Sequence, residues 1–173
     1  MITPMPRSYA AQVAKLVQQL GLKPHPEGGF YSESYRASDT VIRQTDGTER
    51  ASSTAIYYLL ENGAWSAWHR IASDEVWHFY AGSPLNVYVL TPEGELVTHC
   101  LGPALERAGV VYQAVVPAGY WFAAELVNPD SFALVGCTVA PGFEFAEFEL
   151  AKAEELAAQY PQHRGVVERL GRW

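Results

Sequence analysis

The stretch Gly63-Ala64-Trp65-Ser66-Ala67-Trp68-His69-Arg70-Ile71-Ala72-Ser73-Asp74-Glu75-Val76-Trp77-His78-Phe79-Tyr80-Ala81-Gly82 contains two runs in which apolar or aromatic residues alternate with polar ones. Period-two alternation marks a strand with one buried face, because successive side chains of an extended chain point to opposite sides. On that parity Trp65, Ala67, His69 and Ile71 share one sheet face, as do Glu75, Trp77 and Phe79. A histidine and a glutamate are thereby expected to point into one apolar interior. A buried carboxylate can orient an imidazole and tune it for proton transfer, which makes His69 and Glu75 the leading catalytic candidates. The plain alternative for His69 is a core histidine satisfied by a neighbour. His78 lies three residues after Glu75, so a regular strand turns it to the opposite face and a bulge turns it into the pocket. Both placements stay open.

Outward from this stretch the chain reads as many short strands. Toward the N-terminus, Ser8 can cap a helix over about 9–20, in which Val13, Leu16, Val17 and Leu20 recur at helical spacing and Gly21 is the stop. Pro24 to Gly29 then interrupts regular structure, with His25 and Glu27 expected to cap or brace the turn. The pair Gly28-Gly29 carries a second reading, in which backbone comes close to a ligand. Phe30–Arg36 and Ser53–Leu60 alternate as strands, and between them Asp46-Gly47 signals a hairpin or loop at a rim. Further strands are expected over 85–90, 95–101, 110–116, 120–125, 132–139 and 143–150, each bounded by Gly, Pro or Asn turns. A helix over 151–160 is stopped by Pro161. Short strands at regular spacing predict an all-β sandwich or barrel, with a core over about 22–150.

With 173 residues, 49% of them hydrophobic and 13% aromatic, the chain is expected to form one domain over 1–173. A formal charge of −7, with 12 scattered Lys and Arg, opposes a phosphate-backbone partner, so no nucleic acid is expected. Cys100 and Cys137 are too few for a disulfide framework, and no apolar run approaches a membrane span. A reduced, cytoplasmic protein without a membrane partner is the expectation. Cys137 sits mid-strand without a basic neighbour and reads as a packed thiol.

Gly63, His69, Glu75 and Gly82 fall in register with the first signature of the cupin superfamily: glycine, five residues, His-x-His, three or four residues, glutamate, six residues, glycine. Ile71 takes the second histidine's place. The wording His25-Pro-Glu-Gly-Gly-Phe-Tyr31, Asp74 to Gly82, Cys137-Thr-Val-Ala-Pro-Gly-Phe143 and Pro161-Gln-His163 resembles the fifth cupin family, long catalogued as a domain of unknown function, over Leu16 to Leu170. Pro117 and Gly119 match the second signature, while Val111, Phe122 and Leu126 replace its leading glycine, metal-binding histidine and asparagine. The resemblance implies an antiparallel cupin jelly-roll β-barrel with short flanking N- and C-terminal helices, and a homodimer. Only His69 and Glu75 remain of the superfamily's four usual metal ligands. A transition-metal site normally needs at least three protein ligands, so no cofactor is expected beyond a weakly held divalent ion at that pair.

Two function classes follow. One is a metal-independent isomerase or epimerase of a carbohydrate-like substrate, in which His69 takes a proton, Glu75 orients the ring and Tyr57 donates from the far side. The other is a non-catalytic small-molecule binding or sensing protein that kept the barrel and lost the metal ligands. Trp65, Trp77, Phe79, Trp121 and Phe122 read as core; cupin interiors also stack aromatics on sugar-like rings, which makes the same five the candidate ligand platform.

Overall fold

The computed structural model describes residues 9–172. Helix α1 (Ala10–Leu20) lays Val13, Leu16, Val17 and Leu20 against a barrel wall, and Gly21 ends it in the left-handed conformation. The expected Ser8 cap lies outside the described residues. The strands follow as β1 (Lys23–Pro24), β2 (Phe30–Arg36), β3 (Thr40–Ile42), β4 (Glu49–Ala51), β5 (Thr54–Glu61), β6 (Trp65–Arg70), β7 (Asp74–Gly82), β8 (Leu85–Leu90), β9 (Leu96–Leu101), β10 (Gln113–Val116), β11 (Trp121–Leu126), β12 (Phe132–Ala140) and β13 (Glu149–Leu150). Helices α2 (Ala153–Gln159) and α3 (Arg164–Arg169) close the chain.

Two antiparallel sheets, ordered β1-β2-β5-β12-β7-β10 and β13-β6-β11-β8-β9, form the jelly roll, and β3 pairs with β4 as a separate hairpin. Alternation sends Tyr58, Leu60, Trp77, Val87, Phe122 and Val135 between the sheets, where they are buried. Each such side chain contributes about 1.5–3 kcal/mol by leaving water. Tyr57 and Leu59, on the other face of β5, pack with α1.

One bulge resets the parity of β6. Ser66 pairs with Ala124 and His69 with Phe122, so three steps on β6 match two on β11. His69 stays inside, whereas Trp65 and Trp68 both join the cluster outside the five-stranded sheet, under α2 and α3. The shared face expected for Trp65 and His69 is therefore broken by one extra residue. In β7 the register is regular from Asp74 to Phe79 and shifts only between Phe79 and Ala81. Glu75 and Trp77 thus face inward together, and His78 faces out.

The C-terminal third departs from expectation twice. The strand expected over 143–150 is instead a 3-10 turn at Phe145–Glu147 followed by the two-residue β13. Its carboxylates are drawn to arginines of the other segments, with Arg36 on Glu144 and both Arg43 and Arg50 on Glu147. Pro161 does stop α2, but the chain turns back into α3, and its Val167 together with Leu170 just beyond its end completes the outer cluster.

Candidate functional site

The loop between β1 and β2 reaches the barrel wall because it carries two glycines. Gly28 has φ 110°, and a Cβ there would stand 2.1 Å from the Trp65 carbonyl oxygen. A Cβ on Gly29 would come within 2.7 Å of the Leu59 carbonyl oxygen. Freed of both, the loop packs on β5 and β6, and the Ala67 amide donates to the Glu27 carbonyl at 2.8 Å. Arg172 lies over the Trp65 ring and donates to the same carbonyl at 3.3 Å. The Gly28-Gly29 pair admits the backbone of β5 and β6, and the Glu27 side chain is carried inward.

Glu27 Oε2 meets His69 Nε2 at 2.7 Å, with both side chains buried. The other ring nitrogen, Nδ1, lies 2.7 Å from the Ala67 carbonyl, which can only accept, so Nδ1 carries a proton. Burial alone pushes His69 down; the charge and hydrogen bond of Glu27, aided by Glu75 and the Ala67 carbonyl, reverse this and raise it. Burial pushes Glu27 up, and His69 more than offsets it, leaving the carboxyl below its usual range. Both directions describe an imidazolium donating from both nitrogens to a fixed carboxylate and a carbonyl. His25 completes the loop: its Nδ1 accepts from the Glu27 amide at 3.1 Å, and burial holds the ring below its usual pKa.

Glu75 stands on the same cavity wall in a different state. Burial is the main cause that lifts its carboxyl to about 7, with His69 opposing and Glu27 reinforcing. Cys137 and Trp77 flank it. The cavity they share, about 80 Å³, has His25, Glu27, His69 and Glu75 among its walls, and Tyr31, Phe143, Phe145 and Phe148 as its aromatic side. The Phe143 to Phe148 segment is held over it by Arg36, which donates to Glu144 at 2.9 Å and to the Phe143 carbonyl at 3.0 Å.

His69 and Glu75 are thus brought together as expected, but the remaining candidates are not at this cavity. His78 sits on the outer face, with Nε2 2.9 Å from the Thr138 hydroxyl and Nδ1 3.1 Å from the Gln113 amide; no bulge between Glu75 and His78 turns it in. Tyr57 is on the opposite face of β5, edge-on to Tyr80. Trp65 and Trp121 lie outside the five-stranded sheet, under Arg172 and Arg70 respectively. Trp77, Phe79 and Phe122 belong to the packed interior, where the Phe122 ring lies tilted against His69 with centroids 4.0 Å apart. Sequence reasoning missed Glu27, His25 and the aromatic wall. Their signal was the His25 to Tyr31 wording and the glycine pair.

The donor set does not suit a metal. Both ring nitrogens of His69 are engaged, Ile71 and Phe122 offer no donor, and among the described residues no three His, Cys, Asp or Glu side chains are placed to hold an ion. No described helix is long and apolar enough to cross a membrane.

A family model described as Cupin superfamily (DUF985) matches residues 14–151. A solved protein from Shewanella oneidensis is 42% identical, with 97% of this chain and 99% of that one covered and a TM-score of 0.82. A hypothetical protein from Leishmania major is 32% identical over 92% of this chain and 98% of that one, with a TM-score of 0.85. Oxalate decarboxylase from Bacillus subtilis shares the fold at 15% identity, with 85% of this chain and 36% of that one covered and a TM-score of 0.54. Among curated proteins, none matches this sequence.

Proposed function

We propose that this chain, which belongs to the cupin superfamily (DUF985), binds a small carbohydrate-like molecule in the His69–Glu75 cavity and moves a proton on it, as isomerases and epimerases do. The observation that carries this is Glu75: a buried carboxyl on a cavity wall, titrating at about 7, beside a charge pair that is already fixed. A general base works best when its pKa lies near the working pH. The roles expected of the two residues are therefore exchanged. Glu75 takes the proton next to a carbonyl and returns it, while His69, protonated and held by Glu27, sets the field in which Glu75 titrates. No step runs through a metal. Tyr31, which lines the cavity, replaces Tyr57 as the phenol within reach of a ligand.

The locking of both His69 nitrogens favours the second reading, a binding protein without turnover. One pair of measurements separates them. A native mass spectrum of the purified protein identifies a co-purifying ligand, and NMR of that ligand in D2O reports deuterium entering beside its carbonyl. Proton transfer predicts exchange that falls at least about 100-fold in Glu75→Gln. A bound ligand that never exchanges in the wild type makes this a binding protein.

The same reading takes the protein as a homodimer. The outer face of the six-stranded sheet exposes Tyr35, Tyr80 and Val115, an apolar surface that a second copy can cover. Light scattering at micromolar concentration is expected to give twice the 19.1 kDa protomer mass; the protomer mass itself would refute the dimer.

A further inference from the structure

The charge of the cavity narrows what it accepts. Among the described residues lining it, Arg36 is the only Arg or Lys, and Glu33 and Glu144 already hold it at 2.7 and 2.9 Å. That triad is net negative and leaves no free guanidinium for an anion. Deeper in, Glu27 and His69 balance each other. Glu75 is different: it is 8% exposed, lies on the cavity wall and has no ion-pair partner among the described residues. A buried carboxylate without a cation is an incomplete electrostatic site. The wall beyond is aromatic, with Phe145 6.2 Å from both Tyr31 and Phe148. Ring faces attract cations through their quadrupole, and carboxylates do so through charge. A phosphate or carboxylate would meet neither attraction.

We infer that the cavity takes a small molecule bearing a protonated amine, its ammonium group seated on the Glu75 carboxylate beside the rings of Tyr31, Phe145 and Phe148. The inference rests on the proposed function for the location of the ligand and adds its class: amino sugars or amino alcohols, not phosphorylated or acidic analogues. The titratable groups facing Glu75 are His69 from β6, Glu27 from the β1–β2 loop and Cys137 from β12. Glu27 and His69 are engaged with each other, and burial pushes the Cys137 thiol up, so neither offers Glu75 a free cation.

Three molecules of one size test this: 2-aminoethanol, ethylene glycol and glycolate, titrated into the full chain at pH 8. The ring resonances of His25 and His69 report binding by NMR. At pH 8, 2-aminoethanol is expected to bind at least about tenfold tighter than ethylene glycol, with glycolate weakest. Glu75→Gln, checked for a dispersed amide spectrum, loses the preference. If that variant fails to fold, the ranking of the three molecules in the unsubstituted protein decides alone. Ethylene glycol binding equally, glycolate binding tighter, or an amine preference that survives in a folded Glu75→Gln each overturns the amine assignment and leaves proton transfer standing. Silence from all three molecules overturns the assignment too, and the deuterium experiment on the co-purified ligand then judges proton transfer separately.

Discussion

Replacing Glu75 by glutamine is expected to make the folded protein more stable at neutral pH and to change little in acid. The carboxyl moves from 4.5 to about 7 on folding, chiefly because burial penalises its charge. Below pH 4.5 it is protonated in both states and the shift has no effect on stability. Between 4.5 and about 7 the unfolded chain releases the proton while the folded one retains it, so stability falls as pH rises. Above that midpoint both states are ionised, and the folded state carries the whole penalty, about 3 kcal/mol. Glutamine has a similar shape and no charge to desolvate. Urea titrations of the two proteins at equal concentration, from pH 4.5 to 8.5, give the difference directly. The advantage of Glu75→Gln is expected to grow by about 3 kcal/mol across that range, on top of a constant offset from the amide's own hydrogen bonding. The growth, not the offset, is the test. A difference that stays flat within about 0.5 kcal/mol would show that Glu75 pays no burial cost, and the proton-transfer assignment would lose its support.

The barrel was legible because alternation is a local signal. Glu75, Trp77 and Phe79 share a face just as period two requires, and β7 stays regular through them. The bulge in β6 was not legible: Ser66-Ala67-Trp68-His69 contains no glycine to announce it, and the extra residue is fixed by where Phe122 and Ala124 sit on β11. The glycine pair was noticed for the right property, close backbone approach, but the approaching groups are the Trp65 and Leu59 carbonyls. Which carboxylate that approach delivers to His69 depends on residues 42 positions apart, Glu27 and His69, and a single sequence carries no record of that pairing. The same holds for the segment over the cavity. Phe143-Glu144-Phe145 and Glu147-Phe148-Glu149-Leu150 each alternate like a strand, yet arginines about 100 residues upstream capture Glu144 and Glu147, and the Phe143, Phe145 and Phe148 rings line the cavity.

Removing Glu27 by Glu27→Ala takes away the charge-assisted hydrogen bond to a buried imidazole that can then shed its proton, so a loss of about 1–3 kcal/mol is expected at pH 7 in urea denaturation; no loss within about 0.5 kcal/mol would contradict the buried pair. In that variant the His69 midpoint, followed by NMR, is expected to fall, since Glu27 is what lifts it. Gly28→Ala places a Cβ against the Trp65 carbonyl at a positive φ, and is expected to cost about 3 kcal/mol or more and to displace the loop; wild-type stability would mean that the loop does not sit on β6. Metal content tests the site from the other side. A divalent ion at His69 must take a ring nitrogen from Glu27 or from the Ala67 carbonyl, and Ile71 and Phe122 supply nothing in return. Glu75 could serve as one oxygen ligand, but a charge-neutral Glu27–His69 pair provides little further attraction for a cation that needs at least three protein donors. Elemental analysis after dialysis is therefore expected to find well under one zinc, iron, nickel or manganese per chain. One ion per chain would show that Glu27 and His69 part readily, and that the fixed pair on which the role of Glu75 depends is not fixed.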